Sequence, residues 1–337
     1  MGLRDDVLAA GRVAGLAGVG VCAAEPFSDV EENLRDAVAS GRSAGMRFTF
    51  GTPERSSDVT ASFPWARSLV VGAHAYLPAA GNPIADAGEG RIARFAVADQ
   101  YAPLREALTT IADLLRARGH EAQVLADDSR LVDRAAAVRA GVAWWGKNTM
   151  ALMPGYGPWV LLGSVVTDAI IDSDEPMRRT CGTCEACLPA CPTGALIEPG
   201  ILDARRCIAY LLQSPGSIPE AIREAVGDRF YGCDDCLDAC PPGALLVRRS
   251  PETAEIPDMA AVLESSDEEL LDRYGRFYIP ERDPAFLRRN ALVVLGNVGD
   301  GSHRTLVAGF VASNDPMLSE HARWALDRID ERVAGAC

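Results

Sequence analysis

Two spacings of apolar residues dominate the first half of this chain. Leu104, Leu108, Ile111, Leu114 and Leu115 recur at the interval of a helix with one buried face, predicting an amphipathic helix over 104–118. Ser68-Leu69-Val70-Val71-Gly72-Ala73 is short, apolar and β-like. Gln123–Ala126 reads as a further strand that stops at Asp127-Asp128-Ser129, and Trp159–Val166 is another apolar run rich in Val and Leu. The small apolar stretch Ala14–Ala24 follows Asp5 and Asp6 rather than basic residues, and no clear cleavage site ends it. It is expected to be a short helix leading into a buried strand, not a leader. Residues 1–172 are therefore expected to form an α/β domain.

Residues 251–337 read as helical. Leu287–Gly296 resembles Leu318–Asp327 at an offset of 31 residues, which predicts stacked helix pairs of HEAT type. Two unrelated amphipathic helices would give the same pattern. At 337 residues the chain has room for two or three domains, each with its own core. No apolar run reaches the roughly 18 residues of a spanning helix, so no membrane partner is expected and the cytoplasm is the expected location. The net charge of −14 argues against non-specific affinity for nucleic acid.

Cysteine changes this picture. Eight of the ten cysteines lie between 181 and 240. Cys181-x2-Cys184-x2-Cys187-x3-Cys191-Pro192 is the bacterial ferredoxin run, in which three thiolates hold one 4Fe-4S cluster and the fourth crosses to another. A second group, Cys233-x2-Cys236-x3-Cys240-Pro241, lacks its first cysteine because Phe230 stands there. Cys207, 26 residues before Cys233, can replace it through folding. The crossed arrangement assigns Cys181, Cys184, Cys187 and Cys240 to one cluster, and Cys191, Cys207, Cys233 and Cys236 to the other. Disulfides would need an export signal, and zinc has no need of so long a run. Residues 173–250 are thus expected to be a ferredoxin-like double 4Fe-4S module. Cys22 is expected in the core and Cys337 on an exposed tail.

The densest polar stretch elsewhere is Asp127-Asp128-Ser129-Arg130-Leu131-Val132-Asp133-Arg134, continuing to Arg139-Ala-Gly141 and Trp145-Gly146-Lys147-Asn148. It follows a predicted strand, where open α/β sheets bind ligands, and a buried carboxylic acid there could donate a proton. A surface loop of ion pairs fits the composition equally. No phosphate-binding glycine motif is present, so the residues alone imply a redox protein with an unidentified second cofactor. An electron carrier without one is the competing reading, but the 172 residues before the clusters exceed a carrier's needs.

The chain resembles the epoxyqueuosine reductase family, cobalamin-dependent iron–sulfur enzymes of tRNA queuosine synthesis. The likeness is carried by Arg91-Ile-Ala-Arg94-Phe95, Asp127-Asp-Ser, Arg139-Ala-Gly141, Trp145-Gly-Lys147-Asn148, Gly163-Ser-Val-Val-Thr167-Asp168, Asp203-Ala-Arg-Arg206-Cys207-Ile208 and Tyr231-Gly-Cys-Asp-Asp-Cys236. It implies a cobalamin between the N-terminal α/β domain and the cluster module, and a HEAT-like all-α C-terminal domain. It implies contacts to that cobalamin from Arg55, Ala93, Asp127, Ala151, Leu162, Ala209, Asp234 and Asp235. The family's proton donor precedes an acidic residue by six positions, which maps to Asp127 by counting back from Asp133, with Asp128 as the neighbouring alternative. The implied reaction reduces an epoxide to an alkene in tRNA, fed by an external low-potential donor of ferredoxin or flavodoxin type. A corrinoid reductase of a small molecule remains the alternative.

Two departures stand out: Pro242-Gly243 where many members carry Trp-Asn, and Gln100-Tyr101-Ala102 where many carry Asp-Tyr-His. A tRNA partner requires local positive charge. Arg273, Arg276, Arg282, Arg288 and Arg289 form the best cluster, with Arg248, Arg249 and His303 as additions. The competing expectation pairs these arginines with Glu268, Glu269 and Glu281 on ordinary helix surfaces.

Overall fold

The structure is a computed structural model that describes residues 2–76, 86–249 and 256–335. Cys337 and the side chains of Arg248 and Arg249 lie outside the described residues. In the N-terminal part, α1 (Leu3–Val13) turns through Gly15 into β1 (Gly18–Ala23), followed by β2 (Ser68–Ala75). Next come α2 (Tyr101–Ala117), β3 (Ala122–Ala126), α3 (Asp133–Arg139) and β4 (Val160–Thr167). The expected helix within Ala14–Ala24 thus lies earlier, over Leu3–Val13. The long helix begins at Tyr101, three residues before the predicted start at Leu104.

The strands form one sheet in the order β1-β2-β4-β3, with every neighbour antiparallel. β4 inserts between β2 and β3, so those two strands run the same way on either side of it. Their carboxyl ends, bearing His74 and Asp127, emerge at the same edge. The general expectation for ligands in open α/β sheets therefore applies here through two parallel strands that do not touch.

Side-chain alternation explains the two layers. Val70 and Val165 face Leu104, Leu108 and Ile111 of α2. Leu69, Val71, Leu162 and Val166 face the alanines of α3. Gly72 and Gly163 open the first face: a Cβ would lie 2.9 Å and 2.7 Å from the Leu108 side chain. Each of these central valines and leucines is within a tenth of full burial. Burying such a side chain stabilises by about 1.5–3 kcal/mol.

The cysteine-rich segment carries only short elements: α4 (Cys187–Ala190), α5 (Ile208–Leu211), α6 (Glu220–Val226), β5 (Arg229–Tyr231) and α7 (Asp235–Asp238). β5 pairs in parallel with Arg91–Ile92, threading the N-terminal part to the cluster segment. The last segment holds α8 (Met259–Glu264), α9 (Asp267–Tyr274), α10 (Ala285–Val298), α11 (Arg304–Val311) and α12 (Pro316–Gly335). The two similar decapeptides fall in α10 and α12, which pack together. Gly296 lies so close to the Trp324 ring that a Cβ would approach it to 2.2 Å. The helical core also takes in Ile92, Ala96, Phe230 and Tyr231. No helix among the described residues is long and apolar enough to cross a membrane.

Candidate functional site: two thiol clusters and an acidic loop

Cys181, Cys184, Cys187 and Cys240 line one cavity of about 160 Å³, together with Trp144, Leu152 and the Pro241-Pro242 start of a helix over Pro241–Arg249. Burial, then the neighbouring Cys181, Cys187 and Cys184, push the Cys240 thiol up to about 12. Cys191, Cys207 and Cys236 lie within electrostatic reach of one another, and Cys233 packs against the apolar cluster of Ile208 and Leu212. Burial first, then Cys207 and Cys191, raise the Cys236 thiol. Burial also raises Cys207, with Cys191 adding to it, while main-chain N–H groups of Tyr210 and Ala209 aimed at the sulfur oppose the rise. Cys191 is pulled down despite desolvation, because its sulfur accepts from the N–H of Ala195 at 3.2 Å and from Leu196 and Thr193. Cys187, of the first group, also lies within electrostatic reach of Cys236.

This donor set fits an iron–sulfur core. Four cysteine sulfurs lining one cavity are the soft donors that an iron–sulfur core takes. Phe230, at the position where the template has cysteine, is fully buried against Tyr274 with ring centroids 5.4 Å apart. Its place in the helical core is the physical reason that Cys207 must come from elsewhere. Cys22 is buried at 1 % exposure, as expected, and its thiol is pushed up to about 12, chiefly by burial.

Asp127 leaves β3 with a left-handed backbone, φ 55°. Burial first, then the nearby Asp128, raise its carboxyl above the usual range, against the pull of Arg105. Asp128 differs: Arg130 holds it through Nε at 2.9 Å and a second guanidinium nitrogen at 2.5 Å, and the carboxyl is lowered. The two neighbours are thus shifted in opposite directions, although the Asp127 residue itself is exposed at the surface. Asp133 completes the group; its Oδ1 is buried without a partner, and burial together with Asp127 and Asp128 raises it strongly. Tyr101 and Tyr231 both feel the charge of Asp127. At the same sheet edge, His74 Nε2 lies 3.4 Å from Gln100 Oε1.

The expected cobalamin contacts fall into separate neighbourhoods. Ala93, Asp234 and Asp235 border a small cavity beside Cys233. Asp234 accepts from the Arg94 N–H at 2.8 Å and from its guanidinium, and burial pushes its carboxyl up to about 6. Asp235 pairs with Arg229 at 2.8 Å and accepts from the Cys233 thiol at 3.0 Å. Side chains so engaged would meet a ligand through their main chain. Arg55 is exposed and near enough to Asp128 to help lower it, placing it beside the acidic loop. Ala151 and Leu162 are buried, the latter within the sheet opposite Ala73. Ala209 sits on α5, immediately beyond Cys207.

The predicted basic cluster needs correcting. Arg289 has no exposed surface and donates to main-chain carbonyls of the cluster segment, so it cannot reach a phosphate. Arg288 is half-buried and bound to Asp267 at 2.6 Å. Arg273, Arg276 and Arg282 are exposed. Of the glutamates expected to pair with these arginines, Glu269 caps α9 by accepting from Ser266. His303 pairs with Asp300 at 3.0 Å. Sequence reasoning missed Tyr278, which is 67 % exposed between Arg276 and Arg282. Its exposure depends on the turn, for which the sequence offers no periodicity.

A sequence profile for a 4Fe-4S double cluster binding domain matches residues 180–243. Epoxyqueuosine reductase from Bacillus cereus is 31 % identical over 97 % of this chain and 89 % of its own length. The Bacillus subtilis enzyme is 30 % identical over 98 % and 88 %. The chain belongs to the epoxyqueuosine reductase family. Among solved structures, an epoxyqueuosine reductase with an epoxyqueuosine-modified tRNA-Tyr stem loop superposes with a TM-score of 0.88 at 30 % identity, covering 97 % of this chain and 90 % of that one. A Bacillus subtilis epoxyqueuosine reductase with its catalytic-aspartate loop swung out of the active site superposes equally well, at 29 % identity. The fold is the family's, and the protein is an oxidoreductase with a double 4Fe-4S domain.

Proposed function

We propose that the protein reduces epoxyqueuosine to queuosine in tRNA. The carrying observation is the near-full-length match, cluster segment included, to a reductase solved with a modified stem loop. The reaction cleaves both epoxide C–O bonds, forms an alkene and releases the oxygen as water, consuming two electrons and two protons. Bound cobalamin supplies a low-potential cobalt centre for this reduction, and the clusters supply single electrons within a general range of about −700 to +450 mV. Asp127 is assigned the proton to the leaving oxygen, because burial and Asp128 favour its protonated form. Arg130 holds Asp128 through its guanidinium, and the charge of Asp128 shifts the Asp127 carboxyl upward. The Asp127 loop joins two elements at the edge of the sheet, which suits a loop that moves in a relative.

Cobalamin contacts from Arg55, Ala93, Asp127, Ala151, Leu162, Ala209, Asp234 and Asp235 belong to this reading. So does the division into a cobalamin-binding domain over 1–172, a cluster domain over 173–250 and a HEAT-like domain over 251–337. Arg273, Arg276, Arg282 and the exposed Tyr278 ring would face the stem loop, with Arg288 at their margin. An external ferredoxin- or flavodoxin-type donor in the cytoplasm would reload the clusters.

The test is anaerobic reconstitution with iron, sulfide and cobalamin. About eight irons per chain and stoichiometric cobalt are expected. Eight irons without cobalt would remove the proposed chemistry and leave an electron carrier.

A further inference from the structure

Cys207 stands outside the two closely spaced cysteine groups. It precedes α5, a single helical turn over Ile208–Leu211, and one turn is not stable on its own. The far end of that turn meets Arg289 of α10. Arg289 is fully buried and donates to the carbonyls of Leu211 at 3.0 Å, Leu212 at 3.3 Å and Ser214 at 2.8 Å, and also to Gly216. Its remaining bonds go to Asn290 Oδ1 at 2.9 Å and 3.1 Å. Asn290 in turn donates to the carbonyls of Leu212 at 2.9 Å and Phe230 at 3.1 Å. Phe230 lies three residues before Cys233. Two adjacent side chains of α10 therefore tie the segment after Cys207 to the strand before Cys233. One turn further along, Val293 packs with Ile208, Leu212, Ile218 and Val226, and Cys233 lies against the same cluster.

The chemistry of the clamp is specific. Each of these Arg289 bonds ends on a neutral oxygen. A buried guanidinium without a carboxylate partner is costly, and an apolar side chain would fill the space more cheaply. Five donors in a fixed fork can satisfy several carbonyls where a helix ends, which no apolar residue can do.

We propose that Arg289, together with Asn290, is a positioning residue for the second iron–sulfur cluster: it fixes the Leu211–Gly216 turn so that Cys207 reaches Cys191, Cys233 and Cys236. The helical segment is then a structural part of that cluster site as well as a tRNA-facing surface. The proposal rests on the reading of these thiols as cluster ligands.

The test compares the anaerobically reconstituted parent, Arg289→Met, Arg289→Lys, Cys207→Ala and the double variant Arg289→Met/Cys207→Ala. A control, Ile329→Ala, perturbs the core of α12 instead. Iron content, the EPR spectrum after reduction and thermal stability are recorded for each. The parent should hold about eight irons and show two interacting reduced clusters. Arg289→Met should fall to about four, reproduce the Cys207→Ala spectrum, and lose nothing more in the double variant. Arg289→Lys, with three donors instead of five, should lose part of the same iron while keeping its far-UV circular dichroism, and it decides the matter should the methionine variant not fold. Ile329→Ala should keep its iron. Folded arginine variants with the parent's iron and spectrum would overturn the proposal. So would equal loss from both clusters, or the same loss in Ile329→Ala. A parent that never binds about eight irons would instead remove the cluster reading beneath it.

Discussion

The Tyr231 hydroxyl donates to the main-chain oxygen of Tyr278 at 3.2 Å and accepts from the N–H of the same residue at 2.8 Å. Tyr231 also stacks on Phe277, with ring centroids 3.8 Å apart. A buried side chain two residues before Cys233 thus fixes the turn that exposes the Tyr278 ring. Tyr231 also lies within electrostatic reach of Asp127. Tyr231→Phe should leave the Tyr278 N–H and carbonyl without their partner, at a cost of about 1–3 kcal/mol in stability. KM for the stem loop should rise while kcat changes little; an unchanged KM would show that the turn does not meet RNA.

Tyr278 itself should act through its ring. Tyr278→Phe is expected to bind the modified stem loop like the parent, and Tyr278→Ala about 5–100-fold more weakly, the worth of one base–aromatic stack. Arg273→Gln, Arg276→Gln and Arg282→Gln should each flatten the dependence of log affinity on log salt by about one phosphate's share. Arg288→Gln should change that slope less, because Asp267 already holds the guanidinium. Filter binding over a salt series measures both effects.

Asp127→Asn should lower kcat by about 10²–10⁴-fold with iron and cobalt contents unchanged. The raised carboxyl gives the pH dependence its sign. The active form is protonated, so kcat should be full below the folded-state pKa and fall as pH rises through it. The asparagine variant should lose that alkaline limb. Asp128→Asn removes the neighbouring charge, so the limb should move to lower pH instead.

Stability should carry a second pH signature, from His321. The residue has no exposed surface, accepts from the Ile218 N–H at 3.1 Å, and is held down to about 4, chiefly by burial. The unfolded chain binds a proton near 6.5 that the folded one refuses until about 4. Its contribution is therefore complete above about 6.5 and lost as pH falls. Between pH 7 and 5.5 the parent should lose about 1 kcal/mol more than His321→Gln, measured by chemical denaturation. The comparison cancels the opposing contribution of Asp234, whose raised carboxyl weakens the fold as pH rises toward 6.

The double-cluster domain was legible in the sequence because thiolate spacing encodes the loop that wraps a cubic core. Apolar runs located β2, β3 and β4 within a residue or two, and β2 and β4, buried along most or all of their length, leave little else to read. The order of those strands was not legible: nothing local in Val160–Thr167 says that it inserts between β2 and β3. Arg289 was misread for a related reason. Its identity suggests a surface charge, and only the carbonyls of a segment more than seventy residues away make its burial tolerable. The contrast between Asp127 and Asp128 depended on where the Arg130 side chain folds back, which their shared composition leaves open.

The most direct test of the central claim is turnover on RNA. The anaerobically reconstituted protein, loaded with cobalamin and reduced chemically, is incubated with an epoxyqueuosine-bearing tRNA stem loop, and the digested nucleosides are analysed by mass spectrometry. Conversion to a nucleoside lighter by one oxygen atom, lost in Asp127→Asn, is the predicted result. Epoxyqueuosine left intact by protein carrying both clusters and cobalt would contradict the account.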